Sequence, residues 1–188
     1  MMNKEQQRVE IKKKLNAMTN ETMQKESAAI SQCLHAMASI ESSETIMSFL
    51  PLPREVDLQQ MMLKWIHEGK TLCVPLVNWE SNSMQAGLIT SLEPKNLVET
   101  RHGLFEPKER HVVPSDSIDV VLVPGIAFDP RGGRLGRGGG FYDQFLSHVR
   151  PPLAIGIGYS CQLLEHLALE AHDHHVTAIA TPSGLVTS

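Results

Sequence analysis

The chain has 188 residues, of which 41% are hydrophobic and 20% charged; its formal net charge is -4 and its isoelectric point is near 6.1. This length allows one sizeable core, so we predict a single domain over residues 1–188. Nucleic acids and anionic membranes attract strongly basic proteins, so this composition argues against both partners. We therefore expect any anion site to be local.

The cysteines and the residues at the start of the chain indicate the cellular compartment of the protein. Cys33, Cys73 and Cys161 are odd in number and form no CxxC pair, so neither a disulfide framework nor a thiolate zinc site is predicted. The start of the chain is polar, and no run of about 18 apolar residues occurs. We expect a cytoplasmic protein, and a monomer because no long exposed apolar stripe calls for a partner.

Helix-like and strand-like segments alternate along the chain. The predicted helices cover residues 3–16, a segment capped by Thr19 or Asn20, and residues 56–68, 139–148 and 161–170. Short apolar runs predict the strands "ETIMSFLPLP", "TLCVPLV", "SMQAGLIT", "SIDVVLVPGIAF", "LAIGIGY" and "VTAIAT". Parallel neighbours need crossover connections, so this alternation predicts an α/β fold. We expect three layers, with a Rossmann-like, largely parallel sheet flanked by helices.

The segment "VPGIAFDPRGGRLGRGGGFYDQFL", residues 123–146, concentrates glycine and positive charge after the strongest predicted strand. Its arginines are Arg131, Arg134 and Arg137. Glycines let backbone N–H groups approach an anion closely, and arginine forks grip phosphate oxygens. The segment matches neither the P-loop pattern nor GxGxxG. The residues alone leave two alternatives, a phosphate cradle and a flexible surface hairpin with solvated arginines.

Other candidate residues also have two interpretations. Asp143 falls in the first turn of a predicted helix, where a carboxylate complements the helix dipole. Lys4 and Arg8 are four apart and share one face of a helix, which is commonly a solvated face. Four more side chains fit a core or a helix start as well as a ligand site: Leu50, Glu55, Phe141 and Tyr142. The run "HDHH" offers histidines to zinc without a standard spacing, namely His172, His174 and His175.

Five segments in a fixed order along nearly the whole chain resemble the 5-formyltetrahydrofolate cyclo-ligases. They are the basic pair Lys4 and Arg8, "FLPLPREVD", "GLFEP", the glycine loop "PGIAFDPRGGRLGRGGGFYDQFL" and "HDHHVTAIATPSG". The resemblance implies closure of 5-formyltetrahydrofolate to 5,10-methenyltetrahydrofolate, with ATP as co-substrate, Mg²⁺ as cofactor, and ADP and phosphate released. It also implies an intermediate in which the formyl oxygen carries a phosphate.

The resemblance assigns roles residue by residue. Arg134 and Arg137 would be catalytic, and Asp143 and Asp173 would bind magnesium. ATP would be bound by Lys4, Arg8, Arg134, Leu135, Gly136, Arg137, Gly138, Gly139, Gly140, Phe141 and Tyr142. The folate would be bound by Leu50, Glu55, Arg137, Gly138, Gly139, Gly140 and Phe141.

The chain departs from the family pattern at Phe141, Thr177, Asn16 and His102. None of these departures removes a group that would bind phosphate or magnesium, so they bear on how folate is positioned more than on the reaction. Two alternatives remain: a nucleotide-binding regulatory protein without turnover, and an ATP-dependent enzyme that acts on a non-folate acid. Shared fold alone does not separate them.

Overall fold

The computed structural model describes residues 2–170 and 173–187. In that part of the chain the α-helices are α1 Lys4–Ala17, α2 Asn20–His35, α3 Ala38–Ser42, α4 Gln59–His67 and α5 Phe141–Val149. The first strands are β1 Thr45–Met47, β2 Thr71–Asn78, β3 Ser83–Leu88, β4 Leu97–Glu99, β5 Phe105–Pro107 and β6 Val120–Pro124. The others are β7 Ala127–Phe128, β8 Arg134–Leu135, β9 Leu153–Ile157, β10 Ala178–Thr181 and β11 Gly184–Thr187.

Seven strands form the central sheet in the order β11-β10-β9-β6-β1-β2-β3. The inner five strands are mutually parallel, and the two edge strands, β11 and β3, are antiparallel to their neighbours. Two short antiparallel pairs, β4 with β5 and β7 with β8, lie outside it. The prediction of an α/β fold with a largely parallel sheet is confirmed.

Helices cover both faces of this sheet. Along each strand, neighbouring side chains belong to different clusters: Ile46 and Val120 pack on one face, and Met47 and Val121 on the other. The first face carries helices α1 to α4 through Ile11, Leu15, Ile30, Leu34, Ile40, Met62 and Trp65. The second carries α5 through Phe145 and Leu146. The predicted three layers are therefore present.

The order of the strands creates a crevice between β1 and β6. After β1 the chain moves through β2 and β3 toward one edge, and after β6 it moves through β9 and β10 toward the other. The segments that follow β1 and β6 therefore diverge at the carboxyl end of the sheet, which is where α/β folds bind ligands. Residues 48–58 and the glycine loop face each other there.

The last part of the chain differs from the prediction in two respects. The helix predicted over residues 161–170 is wrong, since the structure has only a 3₁₀ turn at Ser160–Gln162 and irregular chain after it. Backbone groups of this segment are satisfied by distant partners: the Gln7 amide donates to the His166 carbonyl and accepts from the Ala168 N–H. Strand β11 was not predicted; it pairs with β10 as an antiparallel hairpin.

The third predicted helix begins later than expected. Its first residue is Gln59 rather than Val56, and the Asp57 carboxylate accepts the Gln59 N–H just before it. Val56 and Leu58 are instead buried in the core beside the helix. Within the described ranges, no helix has the length and apolar character needed to cross a membrane.

Candidate active site

A buried carboxylate fixes the base of the glycine loop. Asp129 has 0% exposure and accepts the N–H groups of Arg131, Gly133 and Leu167, as well as the Arg131 guanidinium. Burial acts to raise the pKa of Asp129, but the hydrogen bonds outweigh burial and the pKa lies below its ordinary value. The loop is thus tied through Leu167 to the irregular segment that replaces the predicted helix.

Two glycines give the loop its path into helix α5. Gly138 and Gly140 have φ of 109° and 70°, a region that side chains disfavour. Gly140 is the N-cap of α5, and no side chain caps the helix there. A Cβ at Gly136 would lie 2.9 Å from Arg134 Nη1, so a side chain there would displace the Arg134 guanidinium. The first turn of α5 presents backbone N–H groups without a side-chain acceptor, a feature suited to anions.

A large cleft lies on one side of this loop, and we call it the polar cleft. Its volume is about 980 Å³, and its walls come from α1, the glycine loop, α5 and the segment near residue 170. The predicted site residues that line it are Lys4, Arg8, Leu135, Gly136, Gly138, Gly140, Asp143 and Asp173. The structure therefore brings the two ends of the chain to one site.

Opposite charges are paired across the polar cleft. Lys4 Nζ lies 2.7 Å from Asp173 Oδ2 and 2.9 Å from Glu170 Oε2. Burial acts to lower the pKa of Lys4, but these carboxylates outweigh it and the pKa is raised. Arg8 Nε donates to the Gly136 carbonyl oxygen at 3.0 Å. Through Lys4 the first helix is held against the segment near residue 170, and through Arg8 it is held against the glycine loop.

Arg134 and Asp143 form a second ion pair beneath the loop. Arg134 is 4% exposed; its Nη2 donates to Asp143 Oδ1 at 2.7 Å and its Nη1 to the Pro124 carbonyl at 3.3 Å. Its guanidinium carbon lies 5.7 Å from the centre of the Tyr142 ring. Its Nε is buried and has no hydrogen-bond partner among the described residues. Arg134 is thus held in place at the end of β6.

A second cavity, the apolar pocket, lies on the other side of the loop. It has a volume of about 410 Å³ and is walled by apolar side chains of the strand ends and of the β4–β5 turn, including Phe49, Leu50, Val77, Trp79, Met84, Leu104 and Phe141. Arg134, Arg137, Gly139 and Tyr142 line this pocket and not the polar cleft. Gly136, Gly140 and Asp143 line both cavities, so the loop is their common wall.

Arg137 crosses the crevice to the segment after β1. Its Nε and Nη2 lie 2.9 Å and 2.8 Å from Glu55 Oε1. Glu55 Oε2 accepts the Leu52 N–H, and the Tyr159 hydroxyl donates to the Glu55 carbonyl oxygen, so the carboxylate is well placed by its surroundings. The Arg137 side chain is 45% exposed, against 10% for Glu55, and the ion pair with Glu55 accounts for the contacts of its guanidinium with described residues.

Trp79 and Tyr142 add polar atoms to the apolar pocket. Trp79 Nε1 and the Tyr142 hydroxyl are buried, and neither has a hydrogen-bond partner in the described part of the chain. Burial, together with the charge of Glu55, raises the pKa of Tyr142. The Trp79 ring makes edge contacts at 5.1 Å with both Phe141 and His102. Buried donors without partners are uncommon, and these two are suited to a polar ligand.

Sequence reasoning did not identify Trp79, Arg101 or Asp129. Trp79 lies two residues after the predicted strand "TLCVPLV" and directly after the observed β2; its signal was this position at the carboxyl end of a strand, where ligands bind. Asp129 precedes the first glycine pair, which is a common place for a turn-forming carboxylate. No local pattern singles out Arg101.

The histidine run does not form a metal cluster in the described residues. His174 contributes its backbone N–H to Asp143, and His175 contacts the Arg131 carbonyl. His172 lies outside the described residues. Of the four departures from the family pattern, Phe141 and His102 line the apolar pocket. Thr177 bonds Ala154 at the amino end of the sheet, and Asn16 is exposed on α1.

The fold and the site together define an α/β protein with two cavities that share a glycine-rich loop at the topological switch point. The sequence model of the 5-formyltetrahydrofolate cyclo-ligase family matches residues 1–182. The chain is 32% identical to the 5-formyltetrahydrofolate cyclo-ligase of Escherichia coli over 180 residues, which cover 92% of this chain and 97% of that relative. It is 27% identical to the enzyme of the same name from Mus musculus over 182 residues, covering 92% and 90% of the two chains.

A solved structure agrees with these sequence relationships. The NMR structure of 5,10-methenyltetrahydrofolate synthetase from Aquifex aeolicus matches with a TM-score of 0.84 at 29% identity, covering 99% of this chain and 93% of that chain. The chain belongs to the 5-formyltetrahydrofolate cyclo-ligase family and is an enzyme of the ligase class. The resemblance found in the sequence is confirmed.

Proposed function

We propose that this enzyme closes 5-formyltetrahydrofolate to 5,10-methenyltetrahydrofolate at the expense of ATP, with Mg²⁺, releasing ADP and phosphate. The observation that carries the proposal is that an apolar pocket and a polar, charged cleft meet at one glycine loop. A phosphoryl transfer from a nucleotide to a largely apolar acceptor needs two such sites in contact. Membership of the cyclo-ligase family supports the choice of substrate.

We assign the nucleotide phosphates to the polar cleft. Lys4 and Arg8 supply positive charge from α1, and the loop and the start of α5 supply N–H groups. The predicted ATP-binding residues Arg134, Arg137, Gly139, Phe141 and Tyr142 line the apolar pocket instead, so we assign them to the junction with the folate. The γ-phosphate would then lie at the loop between the two cavities.

We assign the pterin of the folate to the apolar pocket. Leu50 and Phe141 offer apolar contact, and the Glu55 carboxylate can accept hydrogen bonds from pterin N–H groups. Trp79 Nε1 and the Tyr142 hydroxyl offer further donors to the polar edge of the ring. Gly138 lines only the polar cleft, so we assign it to the nucleotide rather than to both ligands.

The reaction needs activation of a poor electrophile. A formamide carbon reacts slowly with an amine, and its oxygen is a poor leaving group. In the proposed sequence the formyl oxygen attacks the γ-phosphorus of ATP, the bond to ADP breaks, and the formyl carbon becomes an iminium carbon bearing a phosphate ester. N10 of the folate then adds to that carbon with loss of its proton. Phosphate leaves with the oxygen, and the five-membered ring is closed.

The arginines would stabilise charge during the phosphoryl transfer. Arg137 is half-exposed at the junction, and a phosphate would compete with Glu55 for its guanidinium. Folate binding to Glu55 would therefore free Arg137 for the γ-phosphate. Arg134 is fixed by Asp143 and Pro124 and contributes a stationary positive charge. Such preorganised charges can provide much of the rate enhancement in phosphoryl transfer.

The donor set in the polar cleft fits magnesium. Asp143 and Asp173 both line the cleft, and both hydrogen bonds that Asp143 accepts from described residues use Oδ1. Magnesium prefers a few carboxylate oxygens together with substrate phosphates. The ion would supply further neutralisation of the phosphate charge. Lys4 would move from Asp173 toward the phosphates when Asp173 binds the metal.

The remaining assignments are parts of the same proposal. We infer one catalytic domain over residues 1–188 that acts as a monomer in the cytoplasm, without nucleic-acid or membrane partners. The mild negative charge of the chain supports the absence of those partners. The five α-helices of the described residues pack on one central sheet, which supports a single domain.

The test is the absorbance of the methenyl product when the protein is incubated with 5-formyltetrahydrofolate, ATP and Mg²⁺. Product should form only when all three are present, with one ADP released per product. Controls omit ATP or replace Mg²⁺ by a chelator. Absence of product with folded protein would overturn the proposal: ATP binding without turnover would indicate a regulatory protein, and ADP release only with another acid would indicate a non-folate substrate.

A further inference from the structure

One cation that lines the apolar pocket has no role in the proposed reaction. Arg101 lies on the 3₁₀ turn Arg101–Gly103 between β4 and β5. Its side chain is exposed and makes no hydrogen bond or ion pair with any described residue. An arginine at the wall of a mainly apolar cavity, with its guanidinium unengaged, is suited to an anionic group of the ligand.

The other charges of the pocket are already paired with one another. Arg137 pairs with Glu55, and Arg134 pairs with Asp143. All four belong to the crevice between β1 and β6, where the glycine loop lies. Arg101 belongs to a different element and is separate from that group. The pocket therefore has a charge-balanced reactive region and an additional, unbalanced positive charge.

The turn that carries Arg101 has a defined shape. His102 and Gly103 have φ of 62° and 74°, and the Thr100 hydroxyl donates to the Leu104 carbonyl across the turn. The His102 ring contacts the edge of Trp79, which in turn contacts Phe141 at the start of α5. The aromatic wall thus connects the turn to the glycine loop, and Arg101 has a fixed backbone position along the pocket.

The direction of the substrate follows from its chemistry. The formyl group is on the pterin, and the phosphate donor is at the glycine loop, so the pterin must point to that loop. The p-aminobenzoyl-glutamate end must then leave the loop region along the remaining wall. That end carries the carboxylates of the substrate, two in a monoglutamate and one more for each added glutamate.

We propose that Arg101 binds a carboxylate of the glutamate tail and makes this enzyme prefer folates that carry that tail. The inference rests on the proposed function, since it assigns the orientation of that same substrate. Arg101 is then a specificity-determining residue that acts in binding and takes no part in the phosphoryl transfer. Lengthening the tail increases the number of carboxylates that can reach it.

The test compares Arg101→Gln with Lys108→Gln. Lys108 is also exposed, follows β5 and does not line the pocket, so it controls for loss of one positive charge nearby. Each protein is assayed with 5-formyltetrahydrofolate, with its triglutamate, and with the 5-formyltetrahydropteroyl amide, in which an amide replaces the glutamate. We expect Arg101→Gln to raise KM for both glutamate-bearing substrates by about tenfold, the size expected for a charged hydrogen bond at an exposed site.

The amide analogue provides the decisive comparison. Arg101→Gln should leave kcat unchanged on all three substrates and leave KM for the amide unchanged. Its effect on the glutamate substrates should shrink at high salt because exposed charges are screened. The proposal is overturned if the amide is affected equally, or if Lys108→Gln has the same effect. If the wild-type enzyme turns over none of the three substrates, the proposed function itself fails.

Discussion

The polar cleft and the apolar pocket differ in how their walls are built, although they share Gly136, Gly140 and Asp143. The polar cleft is held together by ion pairs between the first helix and the last third of the chain, such as Lys4 with Asp173. The apolar pocket is an extension of the core at the strand ends, with Trp79 as a partly buried wall. Ionic contacts bind an anion with little regard to its shape, whereas apolar contacts select shape. If the proposed assignment of nucleotide and folate to the two cavities holds, recognition of each ligand can be changed separately.

Replacement of Arg137 tests the junction of the two cavities and should have the largest effect. We expect Arg137→Ala to lower kcat by about 10³-fold, because an arginine at the transferring phosphoryl group stabilises charge that develops in the transition state. The free energy of unfolding should change little, since the side chain is half-exposed. Turnover and urea unfolding measure the two quantities.

The control for that prediction is Arg131→Ala, an arginine of the same loop that lines neither cavity. Near wild-type turnover of Arg131→Ala, beside a large loss in Arg137→Ala, would support the role of Arg137. Equal kinetics for the wild-type and Arg137→Ala proteins would remove Arg137 from phosphoryl transfer.

Asp143→Asn tests whether the shared wall binds metal. We expect turnover to fall by about 100-fold, because a neutral amide is a weaker magnesium ligand and no longer neutralises Arg134. ATP affinity measured by calorimetry, with Mg²⁺ and then with a chelator, should differ in the wild-type protein and be similar in the variant. A matched control is Asp116→Asn on the exposed turn Ser115–Ser117. A wild-type magnesium response in Asp143→Asn would favour a helix-dipole role.

Two variants, one in each cavity, test whether the cavities bind their ligands independently. Trp79→Leu removes aromatic contact and an indole donor from the apolar pocket, so KM for the folate should rise by about tenfold while KM for ATP stays the same. Initial rates with one substrate varied and the other saturating give both values.

Lys4→Gln is the converse change, in the polar cleft. Loss of one charged contact to phosphate should raise KM for ATP by about tenfold and leave KM for the folate unchanged. If either variant shifts both KM values equally, the two cavities act as one site and do not recognise their ligands separately.

The smallest effect on catalysis is expected from replacement of a glycine in the glycine loop. Gly140 and Gly69 both have positive φ, and no atom lies within 4 Å of a Cβ built at either position. Alanine at each should therefore cost a similar free energy of unfolding, about 1–2 kcal/mol, through backbone strain alone. Only Gly140→Ala should also lower kcat/KM, by a few-fold, because Gly140 lines both cavities. Equal kcat/KM in Gly140→Ala and Gly69→Ala would mean that the backbone path of the loop at Gly140 does not affect catalysis.

The fold was largely predictable because its signals are local. Continuous apolar runs such as β6, which is buried along nearly its whole length, and the N-cap side chain of Thr19 depend on neighbouring residues in the chain. The failure over residues 161–170 has a tertiary cause: Gln7 and Asp129 bind backbone groups that a helix would have bonded internally. The helical spacing of apolar residues did not reveal that these side chains compete with helix formation for the backbone groups.

The site was predictable in part. The local spacing of glycines and arginines indicated a loop with a flexible backbone and positive charge. The family resemblance supplied the site residues that are distant in the sequence. Spacing could not have paired Arg137 with Glu55, which are 82 residues apart, or Lys4 with Asp173, which are 169 apart. Trp79 and Arg101 reach the pocket from a segment without a clear period.

The sequence by itself determined the alternation of strands and helices, the left-handed turns of the glycine loop and the concentration of arginines in it, since each depends on residues close together in the chain. Only the tertiary structure decided which charges meet and where the two cavities adjoin. The physical reason is the order of the strands: the reversal between β1 and β6 brings the segment of Glu55 and the loop of Arg137 to the same crevice.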